Sequence, residues 1–378
     1  MLWLALIARW SGYPVAETLQ YKVAWIACAW SGGASGGIDN VTMTPGKLAG
    51  MKAVSTETGT IGAAAMDQRG SLKKALSKAK GSDVSDAMME EFKSAVTEVL
   101  TPHASAILLD PEWGIGPSKK RSANAGLLLA YEKSGYDNTR SGRLPDLLPH
   151  WSVRRLQEAG ANCVKVLIYY TPFDAKDVNE EKHAFVERIG DECRTNDIPF
   201  FLEFVGYDPV GGDEKGLEYA KVKPKVVAAT MEEFTKERYG VDVMKVEVPV
   251  NMKFVGGTKS FSGEEAYSRV QALDHFRAAA SVATKPFIYL SAGVSNLEFT
   301  ESLELAAESD VTWAGVLCGR ATWKEGIPVY AKEGVDAFHR WLETEGVENI
   351  GNVNERLAHA KAWFDTFGVN SADELAAV

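Results

Sequence analysis

Short apolar runs recur along the chain from residue 61 onward, at 61–66, 105–109, 126–131, 163–170, 199–205, 242–248, 286–290 and 312–318. Their length and apolar content mark them as strands. Amphipathic stretches lie between several of them, at 84–100, 151–159, 180–196, 230–239, 263–282 and 297–309. Strands that alternate with helices imply βαβ units and a parallel sheet. Eight such units predict an α/β protein, a closed (β/α)8 TIM barrel. The span from the first run to the last is about the 250 residues typical of that fold. An open doubly wound sheet is the alternative. It usually begins with a Gly-rich dinucleotide turn, whereas the first run here leads into Asp67-Gln-Arg-Gly70. The tail, 333–378, reads as helices packed outside the barrel.

Residues 1–50 look different. The apolar stretch Met1-Leu-Trp-Leu-Ala-Leu-Ile-Ala8 is too short to span a bilayer, and Arg9 follows it where a secretory signal would carry its basic residues in front. Ser31-Gly-Gly-Ala-Ser-Gly-Gly37 has linker composition and lacks the Lys-Ser/Thr of a phosphate loop. The expected organisation is a poorly ordered extension over 1–50 and one barrel domain over 51–378.

Composition narrows the function. Of 378 residues 46% are hydrophobic, enough for a large core, and the net charge of -10 disfavours a nucleic-acid partner. Four scattered cysteines (Cys28, Cys163, Cys193, Cys318) without a Cys-x-x-Cys suggest reduced thiols and a cytoplasmic home, with Cys163 and Cys318 as small core residues. No two of the six histidines have the close spacing of a zinc site on one element, so neither a metal nor another cofactor is expected.

In such barrels the reactive groups gather at the C-terminal ends of the strands. Those ends are polar here. The first run delivers Asp67, Gln68 and Arg69, the second Asp110-Pro-Glu-Trp-Gly114, and the third Tyr131, Glu132 and Lys133. The fourth holds Lys165, the fifth Glu203, and the sixth Lys245 and Glu247. Each of these charges costs several kcal/mol to desolvate unless it is paired. A barrel brings them together.

Lys245 is the most telling, set in Val241-Asp-Val-Met-Lys-Val-Glu-Val-Pro-Val250. Apolar surroundings strip hydration from an amine and favour its neutral, nucleophilic form, whose natural target is a carbonyl carbon. Lys165 nearby would favour that form further by like-charge repulsion. Strand alternation puts Lys245 and Glu247 on one side with Val243. Asp67 and Glu203 are candidates for general acid/base work. Alternatives remain open: Lys245 paired with Glu247, and Glu203 as a mere salt-bridge partner of Lys165 or Arg69. The Ser-Ala-Gly and Gly-Arg ends of the seventh and eighth runs (Ser291, Gly293, Gly319, Arg320) fit a phosphate cradle, as loops after these strands do in many barrels.

These residues sit in longer motifs: Met66-Asp-Gln-Arg-Gly70, Ser105-Ala-Ile-Leu-Leu-Asp-Pro-Glu112, Gly126-Leu-Leu-Leu-Ala-Tyr-Glu-Lys-Ser-Gly-Tyr-Asp137, Arg143-Leu-Pro-Asp146, the segment around Lys245, Leu290-Ser-Ala-Gly-Val-Ser295 and Gly315-Val-Leu-Cys-Gly-Arg-Ala-Thr-Trp323. Together they resemble class I tagatose 1,6-bisphosphate aldolases over about residues 55–350. The resemblance implies a metal-independent lyase of the tagatose 6-phosphate pathway that splits a ketose bisphosphate into dihydroxyacetone phosphate and glyceraldehyde 3-phosphate. It implies a Schiff-base lysine at Lys245, an acid/base glutamate at Glu203, and supporting roles for Asp67 and Lys165. Phosphate contacts are implied at Ser291, Gly293, Gly319 and Arg320, with Gln68 and Arg69 at the other end. Fructose 1,6-bisphosphate, a sulfofructose phosphate, or a metabolite-sensing regulatory role are the competing readings. One departure is Val205-Gly206 after Glu203, where larger or more polar residues are expected. The implied partner is a small sugar phosphate, with no nucleic acid and no membrane; acidic outer helices are compatible with a monomer or a homo-oligomer.

Overall fold

The computed structural model describes residues 42–137 and 139–376. Eight parallel strands close into a barrel in chain order: β1 (Ile61–Ala65), β2 (Ala106–Leu109), β3 (Gly126–Ala130), β4 (Cys163–Tyr169), β5 (Phe200–Val205), β6 (Val243–Glu247), β7 (Phe287–Leu290) and β8 (Gly315–Cys318). Each apolar run predicted as a strand is one. The eighth begins at Gly315 rather than Thr312, because closure depends on a glycine. Its φ is 133°, and a Cβ there would lie 1.9 Å from the Ile61 carbonyl oxygen on β1.

Side chains alternate across the barrel wall. Val164, Val166 and Ile168 on β4, Phe200, Leu202 and Phe204 on β5, and Met244 and Val246 on β6 face outward into the layer under the helices. Cys163, Phe201 and Val243 face inward and join the packed lower barrel. The next inward positions on the same strands are Lys165, Glu203 and Lys245. The pleat that buries apolar residues below therefore lifts three ionisable ones into the mouth.

Two segments close the lower end. Helix Pro45–Val54 buries Leu48, Met51 and Val54 there, and Trp363 and Leu375 pack into the same cluster. The helix crosses the boundary expected at residue 50, so the described body begins at Thr42; residues 1–41, with the linker-like stretch and Cys28, lie outside the described residues. The tail also divides. Helices Val335–Trp341 and Val347–Arg356 lie outside the barrel as expected, but residues 363–375 form part of its floor. Periodicity alone could not separate these roles, since both bury one apolar face. Trp363→Ala is expected to cost about 3–5 kcal/mol, the range for emptying a buried large aromatic site. Denaturant unfolding measures it, and a loss below about 1 kcal/mol would mean that the segment does not close the barrel.

Two helices depart from the sequence pattern. Gly70–Lys80 was not anticipated, and the helix expected at 230–239 runs from Leu217 to Phe234. Pro224 in its interior disguised the start. Proline has no N–H for the carbonyl one turn back, that of Ala220. The Tyr267 hydroxyl, from the loop after β6, donates to that carbonyl instead. Among the described residues no helix is long and apolar enough to cross a membrane.

Candidate active site

A cavity of about 420 Å³ opens at the C-terminal ends of the strands. It is lined by Asp67, Gln68, Arg69, Glu132, Glu203, Lys245, Ser291, Gly293, Gly319 and Arg320, among others. Nine of the ten residues singled out from the sequence thus border one space. The tenth, Lys165, sits immediately beneath it with no exposed surface.

Strand register accounts for the central pair. Glu203 and Lys245 are directly opposed on β5 and β6. Lys245 Nζ lies 2.9 Å from Glu203 Oε2, and Lys165 Nζ lies 2.7 Å from the same oxygen. Neither lysine approaches along a hydrogen-bonding direction, so both contacts are charge–charge in character. Lys165 also donates to Asp67 Oδ2 at 2.8 Å and to Glu132 Oε1 at 2.9 Å. Burial alone would depress the Lys165 ammonium, but Asp67, Glu132 and Glu203 around it hold it well above the usual lysine range. Burial likewise works to raise Asp67, yet the charges of Lys165 and Lys245 keep it far below the usual carboxylate range. At Glu132 burial prevails over Lys165 and Arg69, and its carboxyl is raised.

The expected repulsion between the two lysines is therefore not the dominant effect. Lys165 is wrapped by three carboxylates, and Glu203 stands between it and Lys245. What the site offers is an amine in salt-bridge contact with a carboxylate that can carry its proton. Of the alternatives open at the sequence level, Lys245 pairs with Glu203 rather than Glu247. Glu203 does make a salt bridge to Lys165, and that contact leaves it on the cavity wall.

Glu247 has a different task. Its carboxylate accepts from the Gly206 backbone N–H at 2.7 Å and meets Lys223 at 3.3 Å, tying the end of β5 to β6. This accounts for the glycine where a larger residue was expected. A Cβ at Gly206 would come 2.4 Å from the Tyr219 hydroxyl.

On the opposite side, Gly293 has φ 78°, and a Cβ there would sit 2.5 Å from the centre of the Arg320 guanidinium. Arg320 packs flat on that glycine at the cavity rim. This disposition suits an anion: a planar cation beside the backbone turn Ser291–Gly293. Arg69 is unlike Arg320. It is buried, and its fork is taken up by Glu112 at 3.0 Å and by the Glu132 carbonyl at 2.7 Å. These contacts tie the end of β1 to that of β3 at the cavity wall.

Glu132 was visible in sequence as a charged strand end but was not singled out, because nothing local distinguishes it from Lys133, which is exposed. Tyr169, at the end of β4, also lines the cavity. The Arg143 guanidinium lies 5.4 Å from the centre of its ring and 4.7 Å from that of Tyr207, and pairs with Glu214. Arg143 thus ties the loop after β3 to the end of β4 and to the loop after β5. Among the described residues no group of three His, Cys, Asp or Glu side chains is disposed to hold a metal ion.

Fold and cavity are those of a (β/α)8 barrel enzyme, with charged side chains gathered at the strand ends. Residues 61–325 match the DeoC/LacD family aldolase. The chain is 51% identical to tagatose 1,6-diphosphate aldolase 2 of Enterococcus faecalis over 87% of its own length and 99% of that protein's. It is 49% identical to tagatose 1,6-diphosphate aldolase of Listeria monocytogenes, over 87% of this chain and 96% of the other. With the tagatose 1,6-diphosphate aldolase 2 of Streptococcus pyogenes it shares 50% identity over 84% of this chain and 96% of the other. A solved fructose-bisphosphate aldolase from Plasmodium falciparum superposes with a TM-score of 0.59, over 82% of this chain and 93% of the other, at 15% identity. That likeness speaks for the fold alone. The chain belongs to the DeoC/LacD aldolase family and is an aldolase, a carbon–carbon lyase.

Proposed function

We propose that this aldolase cleaves D-tagatose 1,6-bisphosphate into dihydroxyacetone phosphate and D-glyceraldehyde 3-phosphate through a Schiff base on Lys245. The observation that carries the mechanism is the Lys245–Glu203 contact of 2.9 Å on the cavity wall. The substrate follows the relatives that carry that name at about half identity.

Lys245 passes its proton to Glu203, and the free amine attacks the C2 ketone. The carbinolamine loses water with the proton returned by Glu203, beside the ionised Asp67, leaving a protonated imine. Glu203 then takes the C4 hydroxyl proton, the C3–C4 bond breaks, and its electron pair moves into the iminium. Glyceraldehyde 3-phosphate departs. Glu203 delivers that proton to C3 of the enamine, and water hydrolyses the resulting iminium to release dihydroxyacetone phosphate and the Lys245 ammonium. Lys165 keeps Asp67, Glu132 and Glu203 together so that proton carriers surround the reacting carbons. Arg320 with the Ser291–Gly293 turn holds one phosphate, and Gln68 contributes near the other end. Binding energy from the phosphates orients the bond to be broken. The protein acts in the cytoplasm, in keeping with three buried free thiols.

Borohydride reduction in the presence of dihydroxyacetone phosphate, followed by peptide mapping, tests this reading. The expected adduct is on Lys245. An adduct on Lys165 instead would overturn the assignment, and failure of the wild-type protein to release triose phosphates from tagatose 1,6-bisphosphate would overturn the substrate.

A further inference from the structure

Helix Asp86–Leu100 packs on the outside of the barrel, yet it sends one lysine into the seam between β1 and β2. Lys93 has no exposed surface. Its ammonium donates to the Met66 carbonyl at 2.6 Å, to the Gln68 carbonyl at 2.8 Å and to Asp110 Oδ2 at 2.5 Å. An ammonium has three N–H groups, and all three are used. The two carbonyls belong to the residues on either side of Asp67. The other Asp110 oxygen accepts from the backbone N–H of Glu112 at 3.0 Å and of Trp113 at 2.9 Å. That turn presents Glu112 to Arg69 at 3.0 Å. A single buried pair therefore holds the backbone beneath Asp67 and Gln68 and the carboxylate that holds Arg69. Neither Lys93 nor Asp110 borders the cavity.

Stability is a poor reason for such a pair. Desolvating both charges cancels much of their attraction, and apolar replacements of similar volume are often as stable. Its distinctive consequence is geometric. Lys93 fixes the stretch just after β1 that carries Asp67 and Gln68 to the cavity, and it does so from behind the wall. We propose that Lys93, with Asp110 as its counter-charge, is a positioning residue for the aldolase reaction: it clamps the Met66–Gln68 backbone so that the Asp67 carboxylate stays on Lys165. The inference rests on the proposed roles of Asp67, Lys165 and Glu203 in the reaction.

Lys93→Met alone leaves the Asp110 carboxylate buried without a partner and would confuse folding with function. The test is the pair Lys93→Met/Asp110→Asn. Methionine fills the lysine's volume, and the asparagine oxygen still accepts from the Glu112 and Trp113 N–H groups. The expected result is a folded protein with a melting temperature close to wild type, a kcat lower on the order of 10²-fold, as for displaced catalytic groups, and a KM changed by only a few fold. Borohydride trapping on Lys245 should persist, because that strand is not touched. A folded double variant with wild-type kcat overturns the proposal. So does a double variant that fails to fold, since the pair would then hold the barrel rather than the site. Absence of tagatose 1,6-bisphosphate cleavage by the wild type is a separate result that bears on the substrate alone.

Discussion

Lys245→Ala is expected to lower turnover by a factor on the order of 10⁴ to 10⁶, the scale seen when a covalent nucleophile is removed. Lys245 is buried to 4% exposure, two residues beyond the packed Val243 on its strand, with Glu203 at 2.9 Å. Lys165 cannot take its place, because it has no exposed surface and three carboxylates hold it. The fold should survive. Alanine leaves Glu203 paired with Lys165, so no charge is stranded, and circular dichroism should match wild type. Steady-state release of triose phosphates and borohydride trapping should both vanish. Residual turnover above about 1% of wild type in a preparation free of host aldolase would remove Lys245 from the mechanism.

Glu203→Gln is expected to behave differently. Loss of a general acid/base group costs typically about 10² to 10⁴ in rate. Here the same carboxylate stands between the nucleophile and Lys165 and faces the cavity, so the upper half of that range is expected in kcat, with a smaller change in KM. The amine remains. Imine formation should slow too, since Glu203 takes the Lys245 proton, but bond cleavage and hydrolysis should slow more, so the imine that forms persists. Mass spectrometry of the borohydride-reduced variant with substrate should therefore show more adduct on Lys245 than wild type under the same conditions. Wild-type kcat in this variant would falsify the acid/base role and leave Asp67 or Glu132 to fill it.

How much of this was legible in sequence differs from element to element. The strands were, because barrel strands buried on both faces are short and apolar along their whole length. Helix starts were less so. Pro224 concealed the first turns of Leu217–Phe234, whose broken backbone pairing is repaired by Tyr267, a residue far away in the chain. The expected repulsion between Lys165 and Lys245 also missed the dominant effect, since strand positions of charges do not say how many carboxylates surround each one. Glu132 was legible only as a polar strand end and Lys93 not at all, because the sequence neighbourhoods of both resemble those of exposed residues.

The sequence by itself determined the barrel, the strand ends as the place of chemistry, and Lys245 and Glu203 as residues facing one side of their strands. These follow from local periodicity, which is written in neighbouring residues. Only the tertiary structure decided that Glu203 stands between two lysines, that Arg69 braces the wall while Arg320 lies at the rim, and that residues 363–375 help to close the floor. Each of these depends on contacts between segments far apart in the chain. Their energies are set by distance and burial, which a linear order of residues does not contain.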